Sequence, residues 1–178
     1  MTSPWTETTV DGARTRRWSL DVQQCAELAV HRMAWLGIDE VNTPYRRVRL
    51  SPSGSFVLAC LAGEGRVWQE GRWEKMTAGQ VWLAPPRVLN AFHAVAGIPW
   101  KFAWVRYREE SSVKPLVGAG SPLRLRAGAD ELGRVVAGLR SEWDGERDPA
   151  LVHHWLSLVH GLARRLARPW RSASRIGA

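Results

Sequence analysis

Residues 63–107 read GEGRVWQEGRWEKMTAGQVWLAPPRVLNAFHAVAGIPWKFAWVRY, and their punctuation decides the fold. Short runs rich in Val, Trp and Phe alternate with glycines and prolines: RVWQE (66–70), QVWLA (80–84), VLNAFHAV (88–95) and WKFAWVRY (100–107). Each is too short for a typical helix and has the β-branched and aromatic content of a strand. Pro85, Pro86 and Pro99 fall between runs, where they interrupt no ladder hydrogen bond. Gly63, Gly65, Gly71, Gly79 and Gly97 sit at the expected turns, and EGRW (70–73) reads as a tight hairpin.

Outward from this stretch the pattern continues upstream. YRRVRL (45–50) precedes the turn SPSG, and SFVLACLA (55–62) follows it. The segment LDVQQCAELAVHRMAWL (20–36) fits helix or strand and is read here as strand. Downstream of about residue 127 the apolar period changes to that of a helix. Leu132, Val135, Val136, Leu139 and Trp143 form one stripe, and Leu151, Trp155, Leu158, Leu162 and Leu166 form a second. Asp148 suits the cap of the second helix and Pro149 its first position, while Pro169 is expected to end it. The prediction is a mainly β barrel of jelly-roll type followed by two C-terminal α-helices.

Composition narrows the function classes. The 178 residues are 45% apolar and 24% charged, ordinary for a folded globular chain, but they include 11 tryptophans. These run from Trp5 to Trp170, which points to an aromatic core or pocket. No apolar run reaches the length of a membrane span, and the N-terminus lacks a secretion-signal pattern. Cys25 and Cys60 are expected to be reduced core thiols, and a cytoplasmic protein with no membrane partner is expected. The net charge is +8, and arginines 164, 165, 168, 171 and 175 follow Gly161 with no acid among them. Such a tail suits a solvated face or a linker toward a DNA-binding module.

In order and spacing, Gly63-x-Gly65, Gly71, Gly79, Pro85-Pro86, Phe92 and the Trp100-x-x-x-Trp104 pair resemble the N-terminal cupin domain of AraC-type transcription regulators. The match spans roughly residues 50–108. The resemblance implies an N-terminal arm with first strands at 1–40 and a cupin-like sensor barrel at 41–125. It also implies a helical dimerisation region and the start of a linker at 126–178. It further implies transcription regulation by a homodimer, with Leu151, Trp155, Leu158, Leu162 and Leu166 at or near its interface. DNA would be bound only through a C-terminal helix-turn-helix domain absent from this chain.

Cupins at large hold a metal with a His-x-His pair, a Glu and a later His. Here no histidine lies between Gly65 and Gly79, and Asn90 stands where the later His is expected. His93 is out of phase with Asn90 and Phe92, so strand alternation turns it to the other face. No nucleophile or paired-carboxylate constellation is visible either, so no catalytic residue, metal or cofactor is expected. In a sugar-responsive member of the family four residues touch the ligand, and their positions fall on Ala62, Phe92, Phe102 and Trp104, of which only the Trp is retained. The expected ligand-binding set is therefore Asn90, Phe92, Phe102, Trp104 and Arg106, around a small effector that is sugar-like or an aromatic or organic acid. Two other readings stay open: a barrel filled by its own side chains, and a stand-alone small cupin enzyme (isomerase, epimerase or dioxygenase).

Overall fold

The computed structural model describes residues 4–173, with side chains through Arg168. Ten strands come first: β1 Thr8–Val10, β2 Arg16–Asp21, β3 Met33–Val41, β4 Arg46–Arg49, β5 Phe56–Gln69, β6 Arg72–Thr77, β7 Val81–Ala84, β8 Asn90–Ala94, β9 Trp100–Tyr107 and β10 Leu123–Leu125. Two helices follow, α1 Ala129–Asp144 and α2 Pro149–Ala173. All strand pairs are antiparallel. One sheet runs β2-β3-β9-β5-β7-β10 and the other β1-β4-β8-β5-β6, with β5 common to both.

The double membership of β5 departs from the sequence expectation, which divided it at Gly63-x-Gly65. The chain does not turn there. Residues 56–63 pair with β7 and β9, then residues 64–69 pair with β6 and β8. The glycines serve close approach. A Cβ on Gly63, whose φ is +69°, would lie 1.7 Å from the Pro99 carbonyl oxygen, and one on Gly65 would lie 2.3 Å from the Trp100 ring. The strand can therefore bend across β9 and pass from one sheet to the other. The EGRW turn behaves as read: Glu70 and Gly71 both have positive φ, at 53° and 77°, as a two-residue hairpin loop needs.

Strand alternation divides the apolar side chains into two cores. Phe56, Trp82, Phe92, Trp100 and Phe102 meet inside the barrel. Leu36, Val57, Val81 and Val105 point out of the same sheet and meet Leu132, Val136, Leu156 and Val159 of the helices. Full burial of a side chain this large is worth about 1.5–3 kcal/mol, so the helices are bound to the sheet as firmly as its faces are to each other.

Three further expectations change. Residues 20–36 are not one strand: β2 ends at Asp21, a 3-10 turn spans Ala26–His31, and β3 starts at Met33. Asp21 Oδ1 accepts from the N–H groups of Gln23 and Gln24, a local bond that stops the strand. α2 runs beyond Pro169 to Ala173, since a proline near a helix end forfeits only one main-chain bond. Arg175 of the basic tail lies outside the described residues.

The cap of α2 is as read, Asp148 Oδ1 accepting from Ala150 N at 2.9 Å and Leu151 N at 3.2 Å. Its buried stripe is not. Val152, Leu156, Val159, Ala163 and Ala167 are buried, each one residue beyond the expected position. Leu151 and Leu158 are 48% and 51% exposed, while Trp155, Leu162 and Leu166 flank the contact. One residue is a rotation of about 100°. Close helix packing explains it, since small and β-branched side chains let α2 approach α1, where the Trp155 ring covers Gly138.

Candidate ligand site

The inner face of the barrel collects the polar groups of four strands. β9 points Phe102 and Trp104 inward, β3 contributes Trp35 and Asp39, and β8 contributes Asn90 and Phe92. β4 supplies Arg47 and Arg49, with Tyr45 just ahead of it. Aromatic rings make the walls: Phe56 stacks on Phe92 at 5.5 Å between centroids, and Trp35 meets Trp104 edge-on at 5.3 Å. They enclose a cavity of about 40 Å³ whose lining includes Asp39, Arg49, Phe56, Phe92, Phe102 and Trp104.

A charged network holds one side of this cavity. Asp39, only 1% exposed, accepts from Arg17 Nη2 at 2.8 Å and from Trp104 Nε1 at 2.7 Å. Arg17 also reaches Asp11 at 2.8 Å, and Arg47 donates both to Asp11 and to the Val10 carbonyl. The hydrogen bond from Arg17, then that from Arg47, holds the Asp11 carboxyl down to about 2. The segment leading into β2 is thereby tied to the barrel mouth, and Glu7 adds an acceptor for Leu50 N at 2.7 Å.

Arg49 differs from its neighbours. Its guanidinium lies 4.8 Å over the Phe56 ring and 5.4 Å over Phe92, and Nη1 is buried with no hydrogen-bond partner among the described residues. Burial, and next the charge of Arg106, pulls its pKa down to about 9. Asn90 faces it across the β4–β8 ladder, is 0% exposed, and has neither amide atom bonded. The indole N–H of Trp82 is likewise buried and unbonded.

The structure brings Phe92, Phe102 and Trp104 together on the cavity. Asn90 lies on the same inner face but outside the lining proper. Arg106 follows Phe102 and Trp104 on the same face of β9, paired with Trp35 and Phe56, but it lines an outer cleft of about 680 Å³ that also has Trp35 in its wall. His93 is on the opposite face of β8, its ring 4.5 Å from Trp73 and its Nδ1–H donating to the Ala94 carbonyl at 2.7 Å. Cys25 and Cys60 are buried and unpaired, and Trp100 Nε1 donates to Cys60 Sγ at 3.2 Å. Sequence reasoning missed Arg17, Asp39, Arg47 and Arg49. The signal available for the last two was period two in YRRVRL, which sets Tyr45, Arg47 and Arg49 on one face.

Antiparallel strands wound into two facing sheets that share one long strand form a jelly roll. No family model and no curated protein matches the sequence. Solved structures do match in outline. A cupin superfamily protein from Desulfitobacterium hafniense is 11% identical over 56% of this chain and 84% of its own, with a TM-score of 0.43. A cupin protein from Bacteroides fragilis is 16% identical over 60% and 88%, with a TM-score of 0.43. The polyketide cyclase RemF from Streptomyces resistomycificus is 18% identical over 61% and 75%, with a TM-score of 0.45. At these identities the likeness says nothing of activity.

The metal that many cupin barrels hold does not fit the side chains here. Among the described residues no three His, Cys, Asp or Glu side chains form a group able to bind one. The inner face offers guanidinium, amide and indole groups instead. Nor is any described helix long and apolar enough to cross a membrane.

Proposed function

We propose that this chain is the ligand-sensing and dimerisation domain of an AraC-type transcription regulator. A small effector enters the cupin-like barrel, and the exposed side of α2 meets a second copy. DNA is bound by a helix-turn-helix module outside this chain. The observation that carries this reading is the inner face of the barrel, with aromatic walls and buried polar groups that have no partner among the described residues. Such a lining suits recognition, because ligand pockets are largely apolar with a few placed polar groups.

Thermal denaturation with sugars, sugar acids and aromatic acids tests it. A ligand present at 100 times its Kd adds about 2.7 kcal/mol of stability, a shift of several degrees. The expected result is a concentration-dependent rise with at least one compound class that Trp104→Ala diminishes. Flat responses across the panel, or responses that Trp104→Ala leaves intact, would overturn the assignment.

A further inference from the structure

We propose that the effector is an organic anion seated by its carboxylate on Arg49, with the Phe56 and Phe92 rings as its walls. This inference rests on the barrel being a ligand site, and it names the chemistry of what binds there.

Three independent observations converge. The first is the state of the arginines. Arg17 is bonded to Asp39 and Asp11, and Arg47 to Asp11 and to main-chain carbonyls. Arg49 has no carboxylate within salt-bridge distance among the described residues, and its Nη1 is buried and unbonded. Asp11 and Asp39 are thus already committed to other arginines. A buried cation is costly unless an anion or a set of acceptors meets it.

The second observation is the amide opposite. Arg49 and Asn90 are directly paired across the ladder, and both Asn90 Oδ1 and Nδ2 are buried without a partner. A native interior rarely leaves a whole amide unbonded, so each such group calls for a specific explanation. Trp82 repeats the pattern. Its Nε1–H is unbonded, and its ring packs edge-on against both Phe56 and Phe92, the two rings that lie under the Arg49 guanidinium. Guanidinium, amide N–H and indole N–H are all donors. Asn90 and Trp82 lie on the inner face outside the cavity lining; in the lining Arg49 is the arginine without a carboxylate partner among the described residues, and a carboxylate offers two oxygens in the plane that a guanidinium fork matches.

The third observation is size. A water-sized group needs about 10–15 Å³ of such volume, so about 40 Å³ accommodates roughly three, the heavy-atom count of a carboxylate. Trp35 is in the wall of both this cavity and the outer cleft of about 680 Å³. A neutral sugar would leave the Arg49 charge uncompensated.

The test compares acids with their neutral isosteres on the intact chain. Acetate and benzoate are set against acetamide, benzamide and a pentose, by calorimetric titration and thermal shift, in protein carrying Arg49, Arg49→Met or Arg49→Lys. Carboxylates are expected to bind at least tenfold more tightly than their amides. Arg49→Met should remove that preference without lowering the ligand-free melting temperature, because it deletes a half-buried charge that has no carboxylate partner among the described residues but keeps the apolar stem. Arg49→Lys should retain part of the preference, which separates loss of charge from loss of shape. If the amides or the pentose bind as well as the acids, or if Arg49→Met keeps the preference, the anion seat is wrong while the sensing barrel stands. If no probe binds any form, both readings fall.

Discussion

Asp11 is the residue on which the barrel mouth turns. Its side chain is 45% exposed, yet it bridges Arg17 and Arg47, which connect in turn to buried Asp39 and to the cavity wall. Because its pKa is lowered in the folded state from 3.8 to about 2, its contribution is present above 3.8 and is lost as pH falls toward 2. Exposure limits that contribution to the scale of a surface pair, about 0–1 kcal/mol. Asp11→Asn should thus lower the urea midpoint at pH 7 by a small amount and leave it nearly unchanged at pH 2, a flatter profile between pH 4 and 2. The inward set Phe92, Phe102 and Trp104 was legible from the family resemblance together with strand alternation. Arg49 was not, because three arginines in YRRVRL look like a solvated edge. Their place in the cavity wall shows that Arg47 and Arg49 point in.

At the scale of elements, β9 was legible to the residue, because the aromatic and β-branched run WKFAWVRY is bounded by Pro99 and the charged residues from Arg108. β5 was not, because a glycine pair normally marks a turn and here marks a crossing. Gly63→Ala tests the difference. The left-handed backbone alone costs a non-glycine residue about 1–2 kcal/mol. Contact with the Pro99 carbonyl adds to that, so chemical denaturation should show a larger loss than at Gly71, where nothing stands within 4 Å of a new Cβ. In α2 the leucines drew the eye as the largest apolar residues. What a neighbouring helix requires is a close fit, and that selected the valines and alanines one position on. Size alone in a sequence does not tell which of two adjacent apolar stripes faces in.

Across the whole molecule the rotation of α2 leaves Leu151 and Leu158 two turns apart on an exposed face. If that face meets a second copy as proposed, sedimentation should give a dimer for the protein and a monomer for the double variant Leu151→Glu, Leu158→Glu. Since both side chains are about half exposed, monomer stability should change by only about 0.5 kcal/mol. A dimer that survives the double change would place the interface elsewhere.

β9 belongs to the inner core through Trp100, Phe102 and Trp104 and to the outer core through Ala103, Val105 and Tyr107. The partition between cavity and helices is therefore one strand thick. Where β9 crosses β5, Ala59 and Ala103 are paired and present only methyl groups to the outer core. With so little side-chain padding, the partition has almost no slack to absorb a displaced ring. Whatever moves Phe102 or Trp104 on one side is handed on as strain to the helical layer on the other.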